Sequence, residues 1–157
     1  IADGALEAHA LKCAGPLVRA LTEQKGAEET RLPQALLGAL EVLLDRSGAS
    51  LKPLVPALLT ALIKALDLAE DVRPPAVRAL AALARVAPKV EIVVKTLGKA
   101  PLKAPNVEAV ASILESLPAE RKADAGREAR TVADAASKST DEAVRTAGSK
   151  VARLLEG

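Results

Sequence analysis

Two copies of a Val-Arg pair, each opening an alanine-rich stretch of helical period, constrain this chain more than any other feature. The first runs Asp71-Val72-Arg73-Pro74-Pro75-Ala76-Val77-Arg78-Ala79-Leu80. The second runs Ala143-Val144-Arg145-Thr146-Ala147-Gly148-Ser149-Lys150-Val151, so the pairs stand 72 residues apart. A weaker copy, Asn106-Val107-Glu108-Ala109-Val110, sits almost midway. Self-similarity at this period marks stacked helical units, each of which buries its apolar face only against its neighbours. The expectation is an all-α chain, an α-solenoid, whose surface holds partners rather than enclosing chemistry.

Proline and glycine divide the chain into eight helical segments. Glu7–Thr22 reads as a first helix, bent at Gly15-Pro16 because proline lacks the amide donor. Thr30 can cap a second, with Pro33 in its first turn, Leu36, Leu40, Leu43 and Leu44 on one face, and Gly48 closing it. Ser50 can cap a third, in which Val55, Leu58, Leu59, Leu62, Ile63 and Leu66 follow three-four spacing. Asp71 precedes a fourth with Pro74 and Pro75 in its first turn and a core face of Val77, Leu80, Leu83 and Ala84. The fifth runs from Val90 to Leu97, stopped by Gly98 and Pro101, and the sixth from Asn106 to Leu117, stopped by Pro118. Ala123–Ser137 reads as a seventh helix with few large apolar residues and little to bury, so the region after Pro118 is expected to be the softest. Thr140-Asp141-Glu142 caps an eighth, carrying Val144, Val151, Leu154 and Leu155.

Pairing these segments gives about four hairpins. Their second helices open near Leu32, Val72, Val107 and Val144, in steps of 40, 35 and 37 residues. That range suits HEAT-type repeats. Residues 1–157 read as a single HEAT-repeat module, and a start at Ile1 reads as a piece of a longer chain. Leu58, Leu62, Val77 and Leu80 are expected to form the best-packed core.

Half the residues are apolar, yet Phe, Tyr, Trp and Met are absent, so the core must be built from Leu, Val, Ile and Ala. Without aromatic faces there is no platform for stacking bases. An aromatic hot spot on this side of an interface is likewise excluded, which leaves arginine and aliphatic anchors. Net charge is +2, and residues 51–100 carry eight Lys or Arg against four Asp or Glu. That field is too modest to point to DNA. The lone Cys13 allows no internal disulfide and fits a reducing, cytoplasmic setting. No apolar run reaches membrane-spanning length, so no membrane partner is expected.

Motifs for catalysis are missing. His9 and Cys13 are four apart on one helical face, but zinc sites need more protein ligands, so a structural reading is preferred and no metal is expected. The acidic pairs Glu28-Glu29 and Asp141-Glu142 stand at helix starts, where they complement the helix dipole. No glycine-rich phosphate loop follows a strand, and no nucleophile is paired with a base. Neither catalysis nor a cofactor is expected.

One ordered set of elements is more specific. It begins Leu11-Lys12-Cys13-Ala14-Gly15-Pro16-Leu17-Val18-Arg19 and continues through Leu36-Leu37-Gly38-Ala39-Leu40-Glu41-Val42-Leu43-Leu44. It then runs Gly48-Ala49-Ser50-Leu51-Lys52-Pro53-Leu54-Val55-Pro56-Ala57-Leu58-Leu59-Thr60 and closes with Lys64-Ala65-Leu66 and Lys89-Val90-Glu91, the Val-Arg helix standing between them. This order resembles the C-terminal HEAT region of the general-control translational activator family, which activates the initiation factor two alpha kinase and binds ribosomes. The resemblance covers about residues 11–97. It departs in lacking the family's aromatics and in the segment Lys25–Glu29. It implies a non-catalytic docking module for the RWD domain of that kinase, or of regulators competing with it, in translational stress control. The Asp67-to-Arg73 spacing resembles the HEAT pattern in which such side chains bridge adjacent units, so Arg73 and Arg145 are expected to be ladder residues.

With no aromatic anchor, partner contact falls to cations. Arg19 ends the Gly-Pro-Leu-Val-Arg element, and Leu17 and Leu21 are expected to point inward beside it. Arg78 and Arg85 are seven apart and share a helix face. The planar guanidinium grips a carboxylate bidentately, which suits an acidic partner. Simple solvation of all three is the competing reading. Other readings of the whole chain are a ribosome- or RNA-contacting segment, a structural spacer, or a tubulin-binding array.

Overall fold

A computed structural model of the chain describes residues 12, 15–20, 31–47, 51–52, 54–67, 71–87, 89–99 and 102–156. These residues form eight helices and no strand. In chain order they are α1 (described over residues 15–20), α2 (Arg31–Ser47), α3 (Val55–Ala65), α4 (Arg73–Val86), α5 (Val90–Leu97), α6 (Ala104–Ser116), α7 (Ala119–Ser137) and α8 (Glu142–Glu156). They divide into two compact units, Ile1–Pro88 and Lys89–Gly157.

In the first unit α4 packs against both α2 and α3. Leucine fills the space between them. Leu37, Leu40 and Leu44 of α2, Leu58 and Leu62 of α3, and Leu80 and Leu83 of α4 are all fully buried. Leu51 and Leu66, flanking α3, join them. Val77 does not: it is half-buried, and Ala76 takes the inward position. The other expected core residues of α4, Leu80, Leu83 and Ala84, are buried, together with Ala76, Ala79, Ala81 and Ala82. The small Ala76 lets α4 sit close to its neighbours and leaves the bulkier valine at the margin.

The start of α3 also differs from expectation. Its N-cap is Leu54, which makes no side-chain capping bond, and Pro56 occupies the first turn. A short 3-10 stretch at Leu51, Lys52 and Leu54 precedes it, and Ser50 lies outside the described residues. Proline in the first turn forfeits an amide that has no intrahelical acceptor anyway. Pro74 and Pro75 do the same for α4.

In the second unit α5 packs on α6 and α7, α6 on α7 and α8, and α7 on α8. Thus each helix meets the next, and α5 and α6 also meet the next but one. α5 has the expected bounds. α6 begins two residues earlier than expected, with Pro105 in its first turn. α7 begins four residues earlier, at Ala119. The sequence Ala119-Glu120-Arg121-Lys122 has no apolar period but consists of strong helix formers, which carry the helix back to Pro118.

α7 also has more to bury than expected. Ala125, Ala129, Val132, Ala133 and Ala136 are buried, facing Val144, Ala147, Gly148 and Val151 of α8 and the end of α5. Small side chains make the approach close. A Cβ on Gly148 would collide with the Cβ of Ala136, and one on Gly98 would lie 2.5 Å from Cγ2 of Val132. Gly98, which the sequence marks as a helix stop, is therefore also where α7 crosses α5. At α8 the expected cap is present: the Ala143 amide donates to Oδ1 of Asp141 at 2.9 Å. Val144 and Val151 are buried, whereas Leu154 and Leu155 are half-buried.

Candidate docking surface

The turns joining helices repeat one device. In the α3–α4 turn, Nε of Arg73 donates to the Leu66 carbonyl at 3.4 Å. In the α5–α6 turn, Nδ2 of Asn106, itself buried, donates to the Leu97 carbonyl at 3.4 Å. In the α7–α8 turn, an Arg145 guanidinium nitrogen donates to the Ser139 carbonyl at 2.8 Å. Each donor lies in the first turn of the second helix; Leu66 and Leu97 stand at the end of the first, and Ser139 just beyond it. Carbonyls at a helix C-terminus lack intrahelical donors, so these bonds satisfy them where the chain reverses. The contacts seen for Arg73 and Arg145 therefore run within their own hairpins, not between adjacent units. The same three places carry the sequence repeat.

Outside the core of the first unit lies a charged ladder. Arg78 and Arg85 project from one face of α4 toward α2. Nε of Arg78 is 3.4 Å from Oε1 of Glu41. A guanidinium nitrogen of Arg85 donates to Oδ1 of Asp45 at 2.8 Å. The Arg78 side chain is 60% exposed and that of Arg85 40%, so each pair is worth only about 0–1 kcal/mol of stability. The contact to α2 orients each side chain.

Arg19 is exposed on α1, beside half-buried Leu17 and Val18. No hydrogen bond or ion pair among the described residues joins it to Arg78 or Arg85. The acids Glu41 and Asp45 were not singled out in the sequence. The signal for them is their position on α2, flanking its buried Leu37, Leu40 and Leu44, once α2 and α4 are recognised as neighbours.

An ion pair of the same sense occurs in the second unit, where Nζ of Lys150 on α8 lies 3.0 Å from Oε1 of Glu115 on α6. In both units the earlier helix supplies the acid and the later one the base. Among the described residues no group of three or more His, Cys, Asp or Glu could hold a metal ion, and no helix is long and apolar enough to cross a membrane. His9, Cys13, Leu21, Glu28 and Glu29 lie outside the described residues. The chain matches no protein-family model, and no characterised protein or solved structure is found to be similar to it.

Proposed function

We propose that the chain is a module of HEAT-type hairpins that docks a protein partner and does no chemistry itself. The observation that carries this reading is the repeated hairpin: in the α3–α4, α5–α6 and α7–α8 hairpins a donor at the head of the second helix clasps a carbonyl at the end of the first. Contacts from α2 to α4, α5 to α7 and α6 to α8 add the alternation expected where first helices stack on first and second on second. Stacked hairpins present long outer rows of side chains, and partners bind along such rows.

The partner that the ordered elements of residues 11–97 imply is an RWD domain, of the initiation factor two alpha kinase or of its competing regulators, met in the cytoplasm during translational stress. Arg19, Arg78 and Arg85 are the cations proposed to meet it. Arg78 and Arg85 are already oriented by Glu41 and Asp45, which lowers the entropy lost when they engage a carboxylate. Retention of a purified RWD domain on the immobilised chain is the expected result. Failure to retain it, together with capture of ribosomes that is lost steeply with added salt, would favour the phosphate-binding alternative.

A further inference from the structure

We infer that the outward side of α5 in the second unit is a docking strip for an acidic protein segment bearing an aliphatic side chain. Within this unit charge is segregated. The segments holding α5 and α7, residues 89–103 and 119–138, contain nine Lys or Arg against five Asp or Glu. Those holding α6 and α8, residues 104–118 and 139–157, contain three against five. The two pairs of helices thus differ in sign, +4 against −2.

Most of the positive excess belongs to α5 and its flanks. α7 alternates acids with bases and largely compensates itself. Residues 89–103 hold four lysines and one acid, Glu91, which is half-buried and lies one turn before Lys95. Lys89, Lys95 and Lys99 are exposed, and their ammonium groups make no hydrogen bond or ion pair with a described residue. Arg78, Arg85 and Lys150 by contrast each have a carboxylate. Among these lysines stands Ile92, 51% exposed, on the helix side opposite buried Val90, Val93, Val94 and Leu97. Its spacing to Lys89 and Lys95 is three residues each way, so all three share one side of the helix.

Charge complementarity selects an acidic occupant. The central isoleucine favours a protein, because an aliphatic side chain gives a phosphate backbone nothing to bond and there is no aromatic ring on which a base could stack. The strip rests on the docking reading above and specifies where in the second unit that partner is met.

The test uses the whole chain with a labelled RWD domain as probe, affinity being read by fluorescence anisotropy and the contact mapped by amide chemical shifts. Lys95→Glu/Lys99→Glu is expected to weaken binding by about tenfold or more and Ile92→Ser by about threefold. Arg153→Glu, a charge reversal on α8, should leave affinity unchanged. Among the amides of residues 89–157, the wild-type shifts should concentrate at residues 89–99. Circular dichroism and melting of each variant establish that the exposed substitutions leave the fold intact. If wild type binds and the α5 variants bind equally well, the strip is overturned while docking stands. If wild type does not bind, both fall. If the α5 variants lose binding to an oligouridine probe but not to the RWD domain, the strip serves nucleic acid and the inference is wrong.

Discussion

The α3–α4 and α7–α8 hairpins solve the same problem with opposite materials. The first interlocks Leu58, Leu62, Leu80 and Leu83, all fully buried. The second brings Ala125, Ala129, Ala133 and Ala136 against Ala147 and Gly148, with Val132, Val144 and Val151 as its largest buried side chains. A chain without aromatics has these two routes to a packed interior. Large aliphatic side chains bury much area at ordinary helix separation. Small ones bury little area each, and cohesion comes from backbones approaching closely enough for dispersion to accumulate. The first kind should fail through cavities and the second through overfilling.

Leu58→Ala and Leu80→Ala should each cost about 2–5 kcal/mol, the largest effect expected, because the deletion loses transfer energy and leaves a cavity. Denaturant unfolding of the chain measures this. If both variants unfold at the wild-type midpoint, the leucine side of the comparison is wrong. In the other hairpin the sensitive change adds atoms. Gly148→Ala places a methyl against Ala136 and should cost about 1–3 kcal/mol. Combining it with Ala136→Gly should recover part of that loss, since the colliding atom is removed. A double variant no better than the single one would show that the approach of α7 to α8 is looser than described.

Asn106→Ala removes the only described side-chain donor to the Leu97 carbonyl in a buried turn and should cost about 1–3 kcal/mol. Arg145→Ala, in the exposed turn at the equivalent place, should cost less, because water can replace the lost donor. Equal losses would mean that burial does not distinguish the clasps. Native-state hydrogen exchange sharpens the contrast further: amides of α7 and α8 should exchange faster than those of α3 and α4, since fewer large apolar side chains must be exposed to open them. Arg78→Ala should change stability least, by about 1 kcal/mol or less, because its partner Glu41 remains solvated when released.

Much of the fold could be read from the sequence wherever apolar period and punctuation agree. Val90–Leu97 is bounded correctly because valine, leucine and Gly98 all point to the same limits. The start of α7 was missed because Ala119-Glu120-Arg121-Lys122 is held by propensity and leaves no stripe. The burial of α7 was underestimated because alanine counts weakly in an apolar pattern, although it permits the closest packing. On α4 the three-four rule admits Ala76 as well as Val77 to the buried face, and only the position of the neighbouring helices decides between them. For the candidate site, seven-residue spacing revealed that Arg78 and Arg85 share a face. Their pairing with Glu41 and Asp45 depends on the crossing of α2 and α4, which no local spacing encodes. The α5 strip was hidden for a similar reason, since charge segregation appears only after helices are sorted by what they pack against.

Docking is the central claim, and calorimetric titration of the whole chain with a purified RWD domain tests it most directly. The expected result is a saturable one-to-one isotherm that weakens moderately with salt, and a folded Arg19→Ala/Arg78→Ala/Arg85→Ala variant that binds at least about tenfold more weakly. A wild-type chain that gives no binding at concentrations well above the micromolar range would contradict it.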